Sequence, residues 1–349
     1  MLSIAGFALV LVACATAPAS RASNVNVTSD LSNSKEPNWV RDPYSKYNKQ
    51  VYIAAVGMAG SRVAAEKNAI GNLIAIFDQS IKIDEKVSTS YQEAVKNGVI
   101  ANWSENTAVY TTISVSVGMH SLIGAEIGDV WNDGKNSYYA VAVLNKAKAS
   151  QVYSEMVTSN QAMIDSLVNI PPEEKNTLNG FARYQFAATV ADMTTIYMNL
   201  LSVIGAALPS LKSGDDYRLE ASSIIKAIPV GIRVHNDKAG RIHGAFAKAF
   251  SDLGFLSGGN NSPYLLEVNI IPTPAVYPSN YKYTRIELKA DLRDAKTGAV
   301  LLPYNFNTRV GHVSQEEADN SAYVMAEREI NKEYTKLLNK FLSRLLLEK

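Results

Sequence analysis

VYIAAVGMAGSRVAAEKNAIGNLIAIF, residues 51–77, decides how the first third of the chain is read. An apolar run reaches Gly57, and Gly60 and Ser61 follow. Apolar residues then recur at helical spacing at Ala65, Ala69, Leu73, Ile74 and Phe77, and again at Ile81. The expected order is strand, glycine corner and helix, with Ser61 as N-cap. Phosphate-binding loops are built in the same order, so the corner has to be compared with them. A P-loop needs G-x-x-x-x-G-K-[ST], whose amides cradle phosphates and whose lysine neutralises them. Gly57-Met58-Ala59-Gly60-Ser61-Arg62 has a different spacing and no lysine. A dinucleotide loop needs G-x-G-x-x-G inside a parallel βαβ unit, and here the next strand pattern arrives about 45 residues later. Glycine also suits any sharp strand-to-helix turn. The stretch therefore reads as a corner and no cofactor is expected; an anion resting on the helix N-terminus is the alternative.

Downstream, the pattern is polar to about residue 106, and TAVYTTISVSVG (107–118) then alternates as a half-buried strand. LIGAEIGDVW (122–131), the turn Asn132-Asp133-Gly134 and SYYAVAVL (137–144) read as a hairpin. A helix begins near Lys146, and β-α-β-β-α implies an antiparallel sheet with helices on one face. Residues 146–208 are helical in pattern, broken at Pro171-Pro172. Phe186, Val190, Met193, Tyr197, Leu200 and Ile204 alternate in steps of four and three, a coiled-coil-like seam. Residues 193–211 carry no charge, which raises a membrane span as an alternative. Thr194, Thr195, Asn199, Ser202 and the stop at Pro209 favour a buried helix, since a span needs about 20 predominantly apolar residues.

The last third reads as a second α+β unit. IPVGIRV (228–234), YLLEVNII (264–271), YTRIELKADL (283–292) and AVLLPYNF (299–306) are strands, and a helix covers about 240–253. Ser314-Gln315-Glu316-Glu317 opens a final helix that places Tyr334, Leu337, Phe341 and Leu345 on one face. The fold class expected is α+β: two small antiparallel-sheet units with helices packed on one face, joined by a helical hairpin. The expected division is a signal peptide (1–13), a lipidated cysteine and tether (14–36), a first unit (37–145), a helical hairpin (146–226) and a second unit (227–349).

The N-terminus indicates where the protein works. Residues 2–13 are apolar and close on small residues, as the core of a signal peptide does. Leu11-Val12-Ala13-Cys14 resembles the lipobox of bacterial lipoproteins, and Cys14 is the only cysteine in the chain. The resemblance implies cleavage before Cys14, a diacylglycerol on its thiol and an acyl chain on its new amine. An ordinary signal sequence with an incidental cysteine is the alternative. No Lys or Arg precedes the apolar run, so the start is expected a few codons upstream. Ala15, where some bacteria carry an inner-membrane retention Asp, leans towards the outer membrane. Residues 15–36 are Ser, Asn, Ala and Thr without apolar periodicity and read as a flexible tether.

Several of these pieces together resemble the Lpp-twenty lipoprotein family of diderm bacteria. They are the lipobox cysteine, Pro37-Asn38-Trp39-Val40 after a polar tether, YIAAVGMAGS (52–61), the alanine-rich helix and the hairpin ending in YYAVAVL. The resemblance covers about residues 37–160. Similar modules begin a flagellar T-ring assembly protein, and the second unit is loosely like the small α+β domains of that protein and of the Tol-system periplasmic protein. The resemblance implies an envelope lipoprotein that acts through protein contacts, held to the membrane by lipid on Cys14. It supplies no catalytic residues.

The chemistry-bearing residues are dispersed. His120, His235, His243 and His312 lie in separate elements with no H-E-x-x-H, so no zinc site is expected. There is no G-x-S-x-G. Asp215-Asp216 and Glu316-Glu317 fall at helix starts, where carboxylates suit the dipole. With 34 basic and 33 acidic residues, no broad attraction for nucleic acid is expected, nor a small-molecule substrate. The surface is more informative. Tyrosine outnumbers phenylalanine 18 to 9, and PTPAVYPSNYKY (272–283) gathers three prolines with Tyr277, Tyr281 and Tyr283 in what reads as one loop. The tyrosines are candidates for a partner contact; alternatively they cap a sheet edge while the prolines stiffen the hairpin. The reading is a non-enzymatic envelope lipoprotein that binds an envelope protein, in envelope or flagellar-type assembly. Activation of a peptidoglycan synthase, or an envelope hydrolase with a site assembled from distant residues, are the alternatives.

Overall fold

In a computed structural model of the chain, residues 35–78, 91, 122–238, 240–277 and 280–346 are described. Cys14, most of the tether, Ile81, His120 and the strand expected at 107–118 lie outside them.

The opening stretch forms strand β1 (Tyr52–Ala59) and helix α1 (Arg62–Asp78). The Ser61 side chain accepts from Ala64 N at 3.3 Å and so caps α1. The hairpin follows as β2 (Ala125–Asn132) and β3 (Tyr138–Asn145), giving an antiparallel sheet in the order β1-β3-β2. Its turn is held by Asp133, whose Oδ1 accepts from Lys135 N and Ser137 N.

Helix α1 buries Ala65, Ala69, Leu73 and Phe77 against the sheet. The contact is close because of Gly57, which lies inside β1 and not in the corner. A Cβ there would stand 2.1 Å from Ala69 N and 2.7 Å from Ala65 O. Its φ is not in the left-handed region. The glycine is needed for helix–strand approach, not for a turn. Asn68 and Asn72 on α1 donate to the Met58 and Val56 carbonyls, both at 2.9 Å, and so occupy groups of edge strand β1.

The opposite face of this sheet is covered as well, where helices on one face only were expected. Pro37-Asn38-Trp39-Val40 and Pro43–Ser45 form short 3₁₀ turns, and Trp39 packs on Ala54, Val141 and Val143. This second layer explains why β3 reads as a nearly continuous apolar run.

Helices α2 (Lys146–Val168) and α3 (Leu178–Ile204) pack against each other across the Pro171-Pro172 break, and α4 (Gly214–Ala227) packs on α3. Phe186, Val190, Met193, Tyr197, Leu200 and Ile204 are all buried. Among the described residues, α3 is the helix long and apolar enough to cross a bilayer, yet 56% of its most apolar window is buried within the protein. A polar seam runs through its interface with α2. Tyr91 donates to Asn160 Oδ1, and Asn160 Nδ2 donates to Thr194 Oγ1, both at 3.1 Å, with all three side chains buried. Buried polar groups need such partners.

The second sheet contains β4 (Val230–His235), β5 (Ser257–Gly258), β6 (Tyr264–Ala275), β7 (Lys282–Asp294) and β8 (Val300–His312), in the order β5-β4-β6-β7-β8. β6, β7 and β8 are antiparallel, as expected. β4 runs parallel to β5 and β6 because helix α5 (Arg241–Ser251) carries the chain across the sheet between them. One face, with Leu266, Val268, Ile270, Ile286, Leu288 and Leu292, is buried in the core. Helix α6 (Gln315–Glu329) packs equally on β7 and β8. It passes through a π-turn (Ile330–Tyr334) into helix α7 (Thr335–Arg344).

The expected face of the last helix is corrected here. Tyr334 is buried, but it is followed by Leu338 and Leu342, while Leu337, Phe341 and Leu345 are only half-buried. The buried row Ala318, Ala322, Ala326, Ile330, Tyr334, Leu338 and Leu342 advances in steps of four throughout. In an unbroken α-helix such a row winds about 40° per step, and the wider π-turn takes up part of that drift.

Candidate functional site: an aromatic hairpin tip

The three candidate tyrosines belong to the far end of the second sheet. The chain does not loop from 272 to 283 as expected. Pro272-Thr273-Pro274-Ala275 continues β6, paired with residues 283–286 of β7. β4 ends at the His235–Asn269 pair, so from Ile271 onward β7 is the only neighbour of β6 among the described strands. Prolines are tolerated where their nitrogens face such an open side.

Among the described strands, the tip therefore consists of β6, β7 and β8. Tyr277 and Tyr283 meet edge to face with centroids 4.9 Å apart. The guanidinium of Arg309, from β8, lies 4.4 Å from the Tyr277 centroid and 5.9 Å from that of Tyr283, and it donates to the Tyr277 hydroxyl. The Tyr283 ring lies over Gly311 on the neighbouring strand, where a Cβ would stand 2.4 Å from it. Tyr277 is 41% exposed, Tyr281 53% and Val276 97%. The tip thus presents a guanidinium stacked on phenol rings beside an exposed valine, an amphipathic surface of the kind that dominates binding energy at interfaces.

Sequence reasoning missed Arg309, whose setting in TRVGH carries no local signal. It joins the tyrosines only because β8 extends past Phe306, where the strand was expected to end, to His312.

The base of the tip is fastened to α6. Thr284, fully buried on β7, donates to Asp319 Oδ1, and Gln315 Nε2 donates to Thr284 Oγ1 at 2.6 Å. Lys238 reaches the second oxygen of Asp319 at 3.3 Å. Burial opposes ionisation of Asp319, but the hydrogen bonds from Thr284, Gln315 and Lys238 outweigh it and hold the carboxyl below its ordinary range. Ser314 does the same for Glu317, which His312 Nδ1 also meets at 2.8 Å.

Among the described residues no three His, Cys, Asp or Glu side chains converge as metal ligands would. His235, His243 and His312 stand at the end of β4, on α5 and at the end of β8. A cleft of about 440 Å³ along α6 and the π-turn is lined by Val324, Glu327, Arg328, Asn331 and Lys332, none of them a residue of the tip.

Residues 37–145 match the model of the LPP20 lipoprotein family. The rest of the chain lies outside that match, the hairpin tip included. Among solved structures the chain is similar to a secreted protein from the human pathogen Helicobacter pylori, at 13% identity over 81% of this chain and 98% of that one, with a TM-score of 0.39. It is also similar to a minor lipoprotein from Acinetobacter baumannii, at 11% identity over 33% and 92% of the two chains and a TM-score of 0.24. A lipoprotein from Neisseria meningitidis shares 13% identity over 30% of this chain and 100% of its own, with a TM-score of 0.20. No curated protein matches the chain.

Proposed function

We propose that this is a non-enzymatic envelope lipoprotein, anchored through lipid on Cys14, that acts by binding an envelope protein with the hairpin tip of its second unit. The observation that carries the reading is the Tyr277–Tyr283–Arg309 stack, exposed on a projection that the sheet itself does not need to complete its core. The lipoprotein-family match at 37–145 and the lipobox around Cys14 support the anchor. A tether of Ser, Asn and Thr would let the tip reach a partner at a distance from the membrane, about 5–6 Å × √n for n residues. The leaning towards the outer membrane rests on Ala15.

The test has two arms. Cys14→Ser should move the protein from the membrane fraction to the soluble one. Retention of the variant in the membrane would defeat the anchor. A photo-crosslinking residue at position 277 or 281 should capture one protein in the native envelope, and Arg309→Ala should abolish the capture by releasing the stack. Equal capture from position 289, on the exposed face of β7 away from the tip, would defeat the tip as the contact.

A further inference from the structure

The described edge strands of the two sheets differ in how they are protected. β1 has Asn68 and Asn72 on its carbonyls, β2 carries an irregularity between Ile127 and Asp129, and β5 is two residues long. β8 is 13 residues long, and its irregularity, at Leu301, and its proline, Pro303, both lie near its start, which leaves the stretch from Tyr304 to His312 without such a device among the described residues. Long exposed edges of this kind pair with other strands.

The prolines fix which backbone groups are free. Pro272 and Pro274 can lie in β6 only with their nitrogens turned from β7, so the alternate residues of β7 bond towards β6 and the even-numbered ones towards β8. Even residues of β8 therefore bond to β7. Asn305, Asn307, Arg309 and Gly311 direct their amides and carbonyls outward, in step with Pro303.

We propose that this edge pairs with the same edge of a second copy of the chain, antiparallel about Asn307. In that register Asn307 faces its own copy, Asn305 faces Arg309, and Pro303 faces Gly311. On the buried side Phe306 meets Thr308, and Tyr304 meets Val310. No like charges are opposed. Centring the pair on Arg309 would oppose two guanidinium groups, and centring it on Asn305 would set Arg309 against Leu301, at the irregular start of β8, and leave Gly311 without a strand partner.

Helix packing fits the same axis. α6 lies midway over β7 and β8, so the two copies of α6 would stand two strand spacings apart, about 9.6 Å. Packed helices stand about 8–10 Å apart. Glu317 meets His312 at the end of β8, and Glu329 acts on Tyr304 further back along it, which places that flank of α6 on the β8 side. Ser321 and Met325 continue the row from Glu317 in steps of four, and Met325 is an exposed methionine at 39%. A small residue and a methionine are suited to a helix–helix contact there.

The experiment uses the full chain with Cys14→Ser, so that an introduced cysteine is the sole thiol. Sedimentation should show a dimer. Asn307→Cys should give a covalent dimer on oxidation, because residues facing each other in a bonded pair lie about 5.5 Å apart, within disulfide reach. Asn305→Cys should not. Asn307→Pro should yield a monomer that melts where the parent does at dilutions that dissociate the dimer, since that N–H is directed away from β7. Met325→Glu should loosen the dimer about tenfold or more by burying an unpaired carboxylate, without touching the core. A parent protein that sediments as a monomer at about the concentrations where standard-sized interfaces hold, or position 305 linking as readily as 307, would overturn the pairing. Either result would leave the tip contact standing, since its test reads a different partner.

Discussion

Gly57 and Gly60 flank one corner, and substituting each by alanine should separate packing from turn geometry. At Gly57 the new Cβ would fall 2.1 Å from Ala69 N, 2.6 Å from the Asn68 carbonyl carbon and 2.7 Å from Ala65 O. All three are backbone atoms of α1, so no side chain can swing aside and the helix must retreat by more than 1 Å to reach about 3.5 Å contact. Overpacking of this kind costs about 1–3 kcal/mol. The retreat also stretches the Asn68 and Asn72 bonds to β1, each worth about 0.5–1.5 kcal/mol. The expected loss for Gly57→Ala is therefore about 2–6 kcal/mol. Gly60 has nothing nearer than Asn136 O at 3.8 Å and no left-handed φ. Gly60→Ala should be neutral or stabilise by about 0.4–1 kcal/mol, through the unfolded chain. Urea unfolding followed by tryptophan fluorescence suits the comparison, because Trp39, Trp103 and Trp131 all lie between residues 37 and 145. The midpoint should fall for Gly57→Ala at constant slope. A Gly57→Ala protein as stable as its parent would refute the close-approach argument, and a costly Gly60→Ala would return the strain to the turn.

Two further outcomes follow from buried polar groups. Asn160→Leu removes the acceptor of the Tyr91 hydroxyl and the donor to Thr194 Oγ1, which keeps its own bond to the Val190 carbonyl, and should destabilise by about 1–3 kcal/mol. Adding Tyr91→Phe should recover part of that loss, and a double variant no better than the single one would count against the seam. Alkali should also unfold the protein. Burial raises the Tyr153 and Tyr304 phenols to about 12 from 10.0. The unfolded chain loses these protons first, so the stability they contribute is intact below pH 10 and is lost between pH 10 and about 12. Tyr153 contributes about 2–3 kcal/mol over that window, and the half-buried Tyr304 contributes less because solvent screens its charge. Tyrosinate absorbance and circular dichroism should change together there, and Tyr153→Phe with Tyr304→Phe should move the transition to higher pH. Early tyrosinate signal with intact dichroism would contradict the burial.

What the sequence determined by itself is local. The face of α1, the seam of α3, the Ser61 and Ser314 caps and the Asp133 turn all follow from residues within a few positions of one another, so periodicity and turn chemistry expose them. The lipobox at Cys14 and the density of tyrosine near 280 are likewise properties of short windows. Tertiary structure decided the rest, because the partners are remote. Asn160 is neutral on a helix until Tyr91 arrives from 69 residues away, and Arg309 is an ordinary strand residue until β8 sets it on Tyr277, 32 residues away. Trp39 looked like a family signature, and the fold makes it the cover of the first sheet's second face. PTPA looked like loop because prolines interrupt ladders, but the end of β4 leaves β6 an open side that proline can occupy. In each case the deciding quantity is the distance between a residue and a group far away in sequence, which only the assembled fold sets.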